Sequence, residues 1–215
     1  MRPNRFVPTL LLVTLGLSAG AHAALIDRGG GLIYDDGRNI TWISPNEVSV
    51  YATAPVAPGW AAANDWANQV VYAGFDDWRL PATVYPDATC EVTANAIGAN
   101  CRGSELGHLY YEVFGGTALQ PLPASANLTL LPVNSLAPYW SSTPSASAGF
   151  AYRFSMNTLQ DGYGYQAERN TGFGTGSIVL VRSGDVAVVP IPALGWMVGV
   201  GFLGLVRVGR KKRAA

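Results

Sequence analysis

The chain of 215 residues has 14 basic and 14 acidic side chains, so its formal net charge is zero. Seven of the basic residues lie in the two terminal segments, whereas all 14 acids lie between Ala24 and Pro192. The central segment therefore has seven Arg against 14 acids, a net charge of −7, which disfavours nucleic acid and anionic lipid as partners. Neutral or cationic partners, or divalent cations, suit it better. Its roughly 160 residues suffice for one hydrophobic core and one domain.

The first 23 residues have the pattern of a signal peptide. Arg2 and Arg5 form a positive start, residues 6–20 are apolar, and Ala21-His22-Ala23 is a small-x-small cleavage motif. We predict cleavage by signal peptidase between Ala23 and Ala24. A retained anchor is the alternative, but the run is shorter than the ~20 apolar residues of a spanning helix.

A hairpin and a helix are predicted next. The β-prone segments at 32–34 and 40–43 flank turn residues at 35–39. After a loop rich in proline, apolar residues recur at helical spacing over residues 59–72, and Gly74 ends the pattern. The apolar residues of this helix are Trp60, Ala63, Ala67, Val70 and Val71.

The most acidic candidate site is Asp76-Asp77, which precedes Trp78 and Arg79. Adjacent carboxylates in a loop could hold Ca²⁺, which takes about 6–8 oxygen ligands. The structural alternative has one Asp capping a turn, the other pairing with Arg79, and Trp78 packing in the core. We favour the structural alternative, because no D-x-D-x-D-G loop accompanies the pair. We therefore predict no cofactor and no metal site, with Ca²⁺ as the alternative.

The two cysteines, Cys90 and Cys101, are predicted to form a disulfide. Two cysteines alone cannot make a tetrahedral zinc site, and a redox pair usually has C-x-x-C spacing. A second helix is predicted after Ser104, a favoured N-cap residue, and before Gly115-Gly116. Its apolar face consists of Leu106, Leu109, Tyr110 and Val113.

His108 is the only histidine of the central segment, because His22 leaves with the signal peptide. Glu105 and Glu112 lie three residues before it and four after it, on the same helix face. Such a trio could bind a metal ion, but we interpret it as a solvated helix face.

Four short strands are predicted in the second half of the domain, at residues 139–142, 150–156, 163–166 and 178–182. The order of hairpin, two helices and several short antiparallel strands predicts an α+β domain. Tyr139-Trp140-Ser141-Ser142-Thr143 offers hydroxyl groups but no partner base, and no G-x-S-x-G elbow is present. We predict no catalytic residue.

Aromatic residues are frequent, and we interpret most of them as core, with stacking on sugar rings as the alternative. Those singled out are Tyr51, Trp60, Tyr72, Tyr85, Tyr110, Tyr111, Tyr163, Tyr165 and Phe173. Glycosylation sequons begin at Asn39 and Asn127, and they carry little meaning in a bacterial-type chain.

The C-terminal end contains a second apolar run. Residues 186–192 form a linker, residues 193–208 a predicted transmembrane sorting helix, and residues 209–215 a basic end that stays cytoplasmic. The run of about 16 residues spans roughly 24 Å as a helix, which is short against a ~30 Å hydrocarbon core. The tail is therefore predicted to be a processed sorting signal, with an ordinary anchor as the alternative.

Two resemblances follow from these residues. The C-terminal tail resembles the PEP-CTERM class of sorting tails in its VPLPA variant. The resemblance is carried by Val189-Pro190-Ile191-Pro192, the apolar run and the basic end, with Ile191 where that variant usually has Leu. This resemblance covers about an eighth of the chain. It implies that the precursor is held in the inner membrane and is cut there by an exosortase-type enzyme. The product would then be delivered to the cell envelope, surface or extracellular matrix.

Residues 24–185 resemble the Lcl C-terminal domain family, long labelled a domain of unknown function. Two ordered blocks carry the resemblance, Asp77-Trp78-Arg79-Leu80-Pro81 and Tyr139-Trp140-Ser141-Ser142. It implies a C-type-lectin-like fold related to the formylglycine-generating enzyme. That enzyme's chemistry uses reactive thiols, which a bonded cysteine pair lacks. Residues 44–58 and 112–138 match no block, so the resemblance assigns no ligand site there.

Two classes of function remain open. We favour a non-enzymatic envelope or matrix protein that binds extracellular polysaccharide, or another surface ligand, through lectin-like loops. The alternative is a glycan-directed enzyme with paired carboxylates about 5–10 Å apart in a cleft.

Overall fold

The computed structural model describes residues 24–93, 97–133, 136–156, 162–172 and 175–186. It is an α+β structure of two antiparallel sheets with few, short helices, which confirms the predicted class. The strands are β1 (Leu25–Gly29), β2 (Leu32–Asp35), β3 (Ile40–Ile43), β4 (Glu91–Thr93), β5 (Ile97–Ala99), β6 (Tyr139–Pro144), β7 (Phe150–Ser155), β8 (Tyr165–Asn170) and β9 (Leu180–Ser183). The helices are α1 (Val48–Tyr51), α2 (Trp60–Ala67), α3 (Glu105–His108) and α4 (Ala126–Leu130), and a π-helical turn (Leu109–Val113) continues α3.

The first sheet has the strand order β1-β2-β3-β9, and the predicted hairpin forms its centre. Side chains alternate between its faces, as the strand period of two requires. Ile33 and Trp42 are paired in register and belong to one hydrophobic core, whereas Leu32 and Ile43 are paired and belong to a second. All four residues of β3 are buried, so this strand lies between the two cores.

The second sheet has the order β4-β5-β8-β7-β6 and contributes to both cores. Tyr139 and Trp140, adjacent on β6, point into different cores, and Phe154 on β7 joins Tyr139. The four strands predicted for the second half of the domain are observed as β6, β7, β8 and β9. Two are displaced along the chain, since β8 begins at Tyr165 and β9 at Leu180. Strands β1, β4 and β5 were not predicted.

The predicted helix over residues 59–72 is correct only in its first half. Helix α2 ends at Ala67, and Asn68 is its C-cap. Beyond it, Tyr72 and Phe75 form a tight antiparallel bridge across Ala73 and Gly74, which both have positive φ. The chain therefore turns back where the pattern predicted another helical turn, and Val71, assigned to the apolar face, is 72% exposed.

The second predicted helix begins at Glu105 as expected, but only its first turn is α-helical. Ser104 occupies the N-cap position without capping, and its hydroxyl accepts a hydrogen bond from the Val84 amide (3.2 Å). The π-helical turn over Leu109–Val113 changes which residues face inward, so Tyr110 and Tyr111 are both buried.

The predicted disulfide between Cys90 and Cys101 is confirmed, with an S–S distance of 2.08 Å. It joins the chain just before β4 to the chain just after β5, so it closes the base of that hairpin. No helix within the described ranges is long and apolar enough to cross a membrane. The predicted signal peptide and sorting helix lie outside those ranges, and so does the linker with its Val-Pro motif, except for its first residue, Val186.

Replacing both cysteines by Ala should lower the free energy of unfolding by about 3 kcal/mol, because the loop between them is no longer closed in the unfolded chain. Urea titration of wild type and variant measures the difference. Reductant should destabilise the wild type to the level of the variant and leave the variant unchanged. If both thiols of the unreduced wild type react with an alkylating agent, the disulfide is wrong.

Candidate functional site

The two motif blocks that carry the family resemblance meet in the structure. Trp78 and Leu80 are fully buried, and between them the backbone of Arg79 forms an antiparallel bridge with Val181 of β9 (N···O 3.0 and 2.9 Å). The carbonyl of Pro81 accepts a hydrogen bond from the amide of Ser142 (2.8 Å). Both blocks therefore form a structural junction between the sheets, and their backbone groups are engaged there.

The partners of the charged motif residues differ from the prediction. Arg79 does not pair with an Asp but donates to both carboxylate oxygens of Glu105, at 2.8 and 2.7 Å. This hydrogen bonding raises the pKa of Arg79. Asp77 instead accepts two hydrogen bonds from Arg182 (2.8 and 3.1 Å), which hold the pKa of its carboxyl below its usual range. The guanidinium of Arg182 also lies over the ring of Phe75, 3.9 Å from its centroid.

His108 is not on a solvated helix face, so that interpretation is wrong. Its side chain is buried, and Nε2 lies 3.3 Å from Oδ1 of the fully buried Asp35. The two glutamates of the proposed trio are engaged elsewhere, Glu105 with Arg79 and Glu112 with Arg102 (2.7 Å). His108 therefore connects the end of α3 to the end of β2 and does not form a metal site with these glutamates.

The serine-rich block is used for structure. The Trp140 indole donates to the carbonyl of Pro58 (2.9 Å), and the buried Ser141 hydroxyl accepts from the amide of Thr143 (3.1 Å). The Ser142 hydroxyl lies 3.4 Å from the carbonyl of Pro81. These hydroxyl groups stabilise the start of β6.

One group of three potential metal ligands occurs in the described residues, Asp87 with Cys90 and Cys101. The two sulfur atoms are bonded to each other, so they are not thiolate ligands. The Asp87 carboxylate accepts hydrogen bonds from the amides of Thr89 (2.9 Å) and Gly103 (3.0 Å). This carboxylate orders the loop beside the disulfide, and the donor set does not fit a metal.

The aromatic residues divide between core and surface. Tyr110 and Tyr111 are buried and pack on each other, whereas Tyr85 is 43% exposed. Tyr51, Trp60, Tyr72, Tyr163 and Tyr165 are half-buried, and Phe173 lies outside the described residues. Of the two sequon asparagines, Asn39 is exposed and has positive φ, and the Asn127 amide donates to the Val113 carbonyl (2.9 Å).

An open cavity of about 310 Å³ lies between α1, α2 and the turn that follows α2. We call it the Trp66 groove. It is lined by three residues with hydroxyl groups, Ser49, Thr53 and Tyr72, by Gln69 and Trp66, and by three valines. The volume lies at the lower end of the range for ligand pockets, roughly 300–1,000 Å³. A short segment of a polymer or one small molecule fits this size.

Trp66, in the lining of the groove, is held by defined contacts. The rings of Trp66 and Tyr51 pack at 5.9 Å between centroids, and Trp66 Nε1 lies 3.3 Å from the hydroxyl of Thr53. Tyr51 is fixed in turn, since its hydroxyl donates to the Ile43 carbonyl (3.1 Å) and accepts from the Leu180 amide (3.0 Å). Trp66 is therefore positioned against the first sheet through Tyr51.

A second open cavity of about 350 Å³ is lined mainly by proline, alanine and tyrosine. Its walls include Pro45, Pro55, Pro58, Tyr51, Tyr139 and Ile178. Both cavities are lined in part by residues 44–58, the segment that matches no block of the family resemblance.

Trp66 was not among the aromatic residues singled out from the sequence. The buried face of α2 is marked by Ala63 and Ala67, and Trp66 lies beside this face rather than on it. A large aromatic ring next to a stripe of small buried residues was the signal available. The place of Ser49 and Thr53 in the groove could not be predicted in the same way, because no sequence pattern shows which helix a predicted loop will pack against.

No family model matches the chain, and the searches of curated proteins and of solved structures also found no match.

Replacing Glu105 by Gln should lower the free energy of unfolding by about 2 kcal/mol, because it leaves the partly buried Arg79 without its anionic partner. Glu112→Gln is the matched control, because Glu112 lies in the π-helical turn that continues α3. Its partner Arg102 is 47% exposed, so the loss should stay below about 0.5 kcal/mol. Urea titration measures both, and equal losses would contradict the assigned role of Glu105.

Proposed function

We propose that this chain is an exported, envelope-sorted protein whose domain, residues 24–185, binds extracellular polysaccharide and catalyses no reaction. The predicted signal peptide and the predicted sorting tail support export and membrane delivery. The disulfide is consistent with this, because disulfides persist in oxidising compartments outside the cytoplasm. The α+β arrangement of two antiparallel sheets supports a C-type-lectin-like fold as the finer description.

The Trp66 groove is the observation that carries the proposed binding function. An aromatic face attracts the polarised C–H groups of a sugar ring, and hydroxyl and amide groups around it exchange hydrogen bonds with sugar hydroxyls. Trp66 supplies the aromatic surface, and Ser49, Thr53, Gln69 and Tyr72 supply the polar groups. This combination suits a sugar better than a purely apolar ligand.

The surroundings of the acidic residues support binding rather than catalysis. Asp77, Glu105 and Glu112 each accept hydrogen bonds from an arginine. A general acid of a glycosidase needs a raised pKa, whereas the pKa of Asp77 is lowered by Arg182. None of these three carboxylates lines the Trp66 groove.

Replacing Trp66 by Ala should reduce the affinity for an oligosaccharide selected on a glycan array by at least tenfold, because the stacking surface is lost. Isothermal titration of the purified full-length chain in detergent measures the affinity. Tyr85→Ala is the matched control, since Tyr85 is exposed but lies outside the groove and should leave binding unchanged. Equal affinities of wild type and the Trp66 variant would place the binding site elsewhere.

Replacing both Pro190 and Pro192 by Ala should leave an unprocessed precursor in the inner membrane, because the sorting enzyme loses the extended backbone that proline imposes. Mass spectrometry of the envelope fraction should find Lys211, Lys212 and Arg213 in the variant and not in the mature wild type. A mature wild-type protein that retains these residues would show that the tail is a permanent anchor.

A further inference from the structure

The charge next to the Trp66 groove is negative. None of its eight lining residues is charged. Glu47 is not part of the lining but caps α1, and its Oε1 atom accepts hydrogen bonds from the Ser49 hydroxyl (2.6 Å) and the Ser49 amide (3.3 Å). Ser49 is itself part of the lining. A carboxylate therefore stands in direct contact with the groove wall.

Glu47 also adjoins the opposite end of the lining. The pKa of the Tyr72 hydroxyl is raised by burial and next by the neighbouring Glu47 side chain. The hydrogen bond from Ser49 lowers the pKa of Glu47, so its carboxylate is charged at neutral pH. The Glu47 side chain occupies the space beside Gly31 that a Cβ atom would fill, and the Tyr72 hydroxyl donates to the carbonyl of the adjacent Gly30 (2.5 Å). The carboxylate is thus placed between Ser49 and Tyr72.

No arginine lines the groove to balance this charge. Four arginines of the described domain are paired with acids, in Arg28–Asp185, Arg79–Glu105, Arg102–Glu112 and Arg182–Asp77. A uronic acid or a sulfated sugar would bring its negative charge beside Glu47 on a domain of net charge −7. The repulsion disfavours such ligands, and a cationic ligand would be attracted.

We propose that the Trp66 groove recognises amino sugars with a free, protonated amine, with Glu47 as the residue that determines this specificity. The inference rests on the proposed polysaccharide binding and adds the ligand class. The sugar ring packs against Trp66, its ammonium group pairs with the Glu47 carboxylate, and its hydroxyl groups bond to Thr53 and Gln69. A cation close to an aromatic ring gains a further attraction.

The test compares two glucosamine oligomers of equal length, one fully deacetylated and one fully N-acetylated, with an oligogalacturonate as the anionic probe. Isothermal titration with the purified full-length chain at pH 6 should give at least tenfold tighter binding of the deacetylated oligomer than of the acetylated one. The anionic oligomer should bind most weakly. Raising the salt concentration should weaken binding of the deacetylated oligomer selectively.

Glu47→Gln should abolish the preference, bringing the two glucosamine oligomers within about twofold of each other. Gln keeps an oxygen that accepts from Ser49, so α1 retains its cap. Asp65→Asn, which removes an exposed carboxylate of α2 that is not in the lining, is the matched control and should keep the preference.

Equal binding of the two glucosamine oligomers by the wild type overturns the inference, and so does a preference that persists in the Glu47 variant. Either result leaves the proposed function standing as long as binding still depends on Trp66. If the wild type binds no glycan at all, both the proposed function and the inference fail. The comparison of ligands on the wild type decides the question even where a variant does not fold.

Discussion

The carboxylate of Glu105 is the charged group that holds the segment joining the two sheets. It accepts hydrogen bonds from both terminal nitrogens of Arg79 and from the amide of Ala82 (2.6 Å), so three donors of one segment converge on the first residue of α3. The same segment is bridged to β9 through the backbone of Arg79 and to β6 through Pro81. A charged hydrogen bond in a partly buried place is stronger than a neutral one. Removing it therefore loosens several elements at once.

This junction explains why the aromatic residues of the motifs are buried beside it. Trp78 lies in the same core as Trp140, and both indole groups donate to backbone carbonyls, of Tyr72 and Pro58. A buried indole needs such a partner, because an unpaired N–H group is costly to desolvate. The tryptophans thus fix the two loops that precede and follow α2. These loops also carry the walls of the Trp66 groove, so the stability of the junction and the shape of the groove are linked.

Features set by local sequence were predictable, and those set by distant partners were not. The central hairpin, the start of α3 and the disulfide followed from turn residues, a cap position and the presence of only two cysteines. The predicted partner of Asp77 was wrong, because its actual partner, Arg182, lies 105 residues away in the chain. His108 was misplaced for a similar reason. Its partner Asp35 lies 73 residues away, and helical spacing alone suggested the nearby glutamates.

The Trp66 groove is the clearest case of a site that no periodicity reveals. Helix α2 buries Ala63 and Ala67, and small residues there let the helix approach the core closely. A ring as large as that of Trp66 cannot enter the same tight face, so it remains half-buried at the margin and packs on Tyr51. The helix then ends at Ala67, which frees the chain to turn and bring Gln69 and Tyr72 beside that ring. The early end of the helix, which contradicted the predicted pattern, is therefore what creates the cavity.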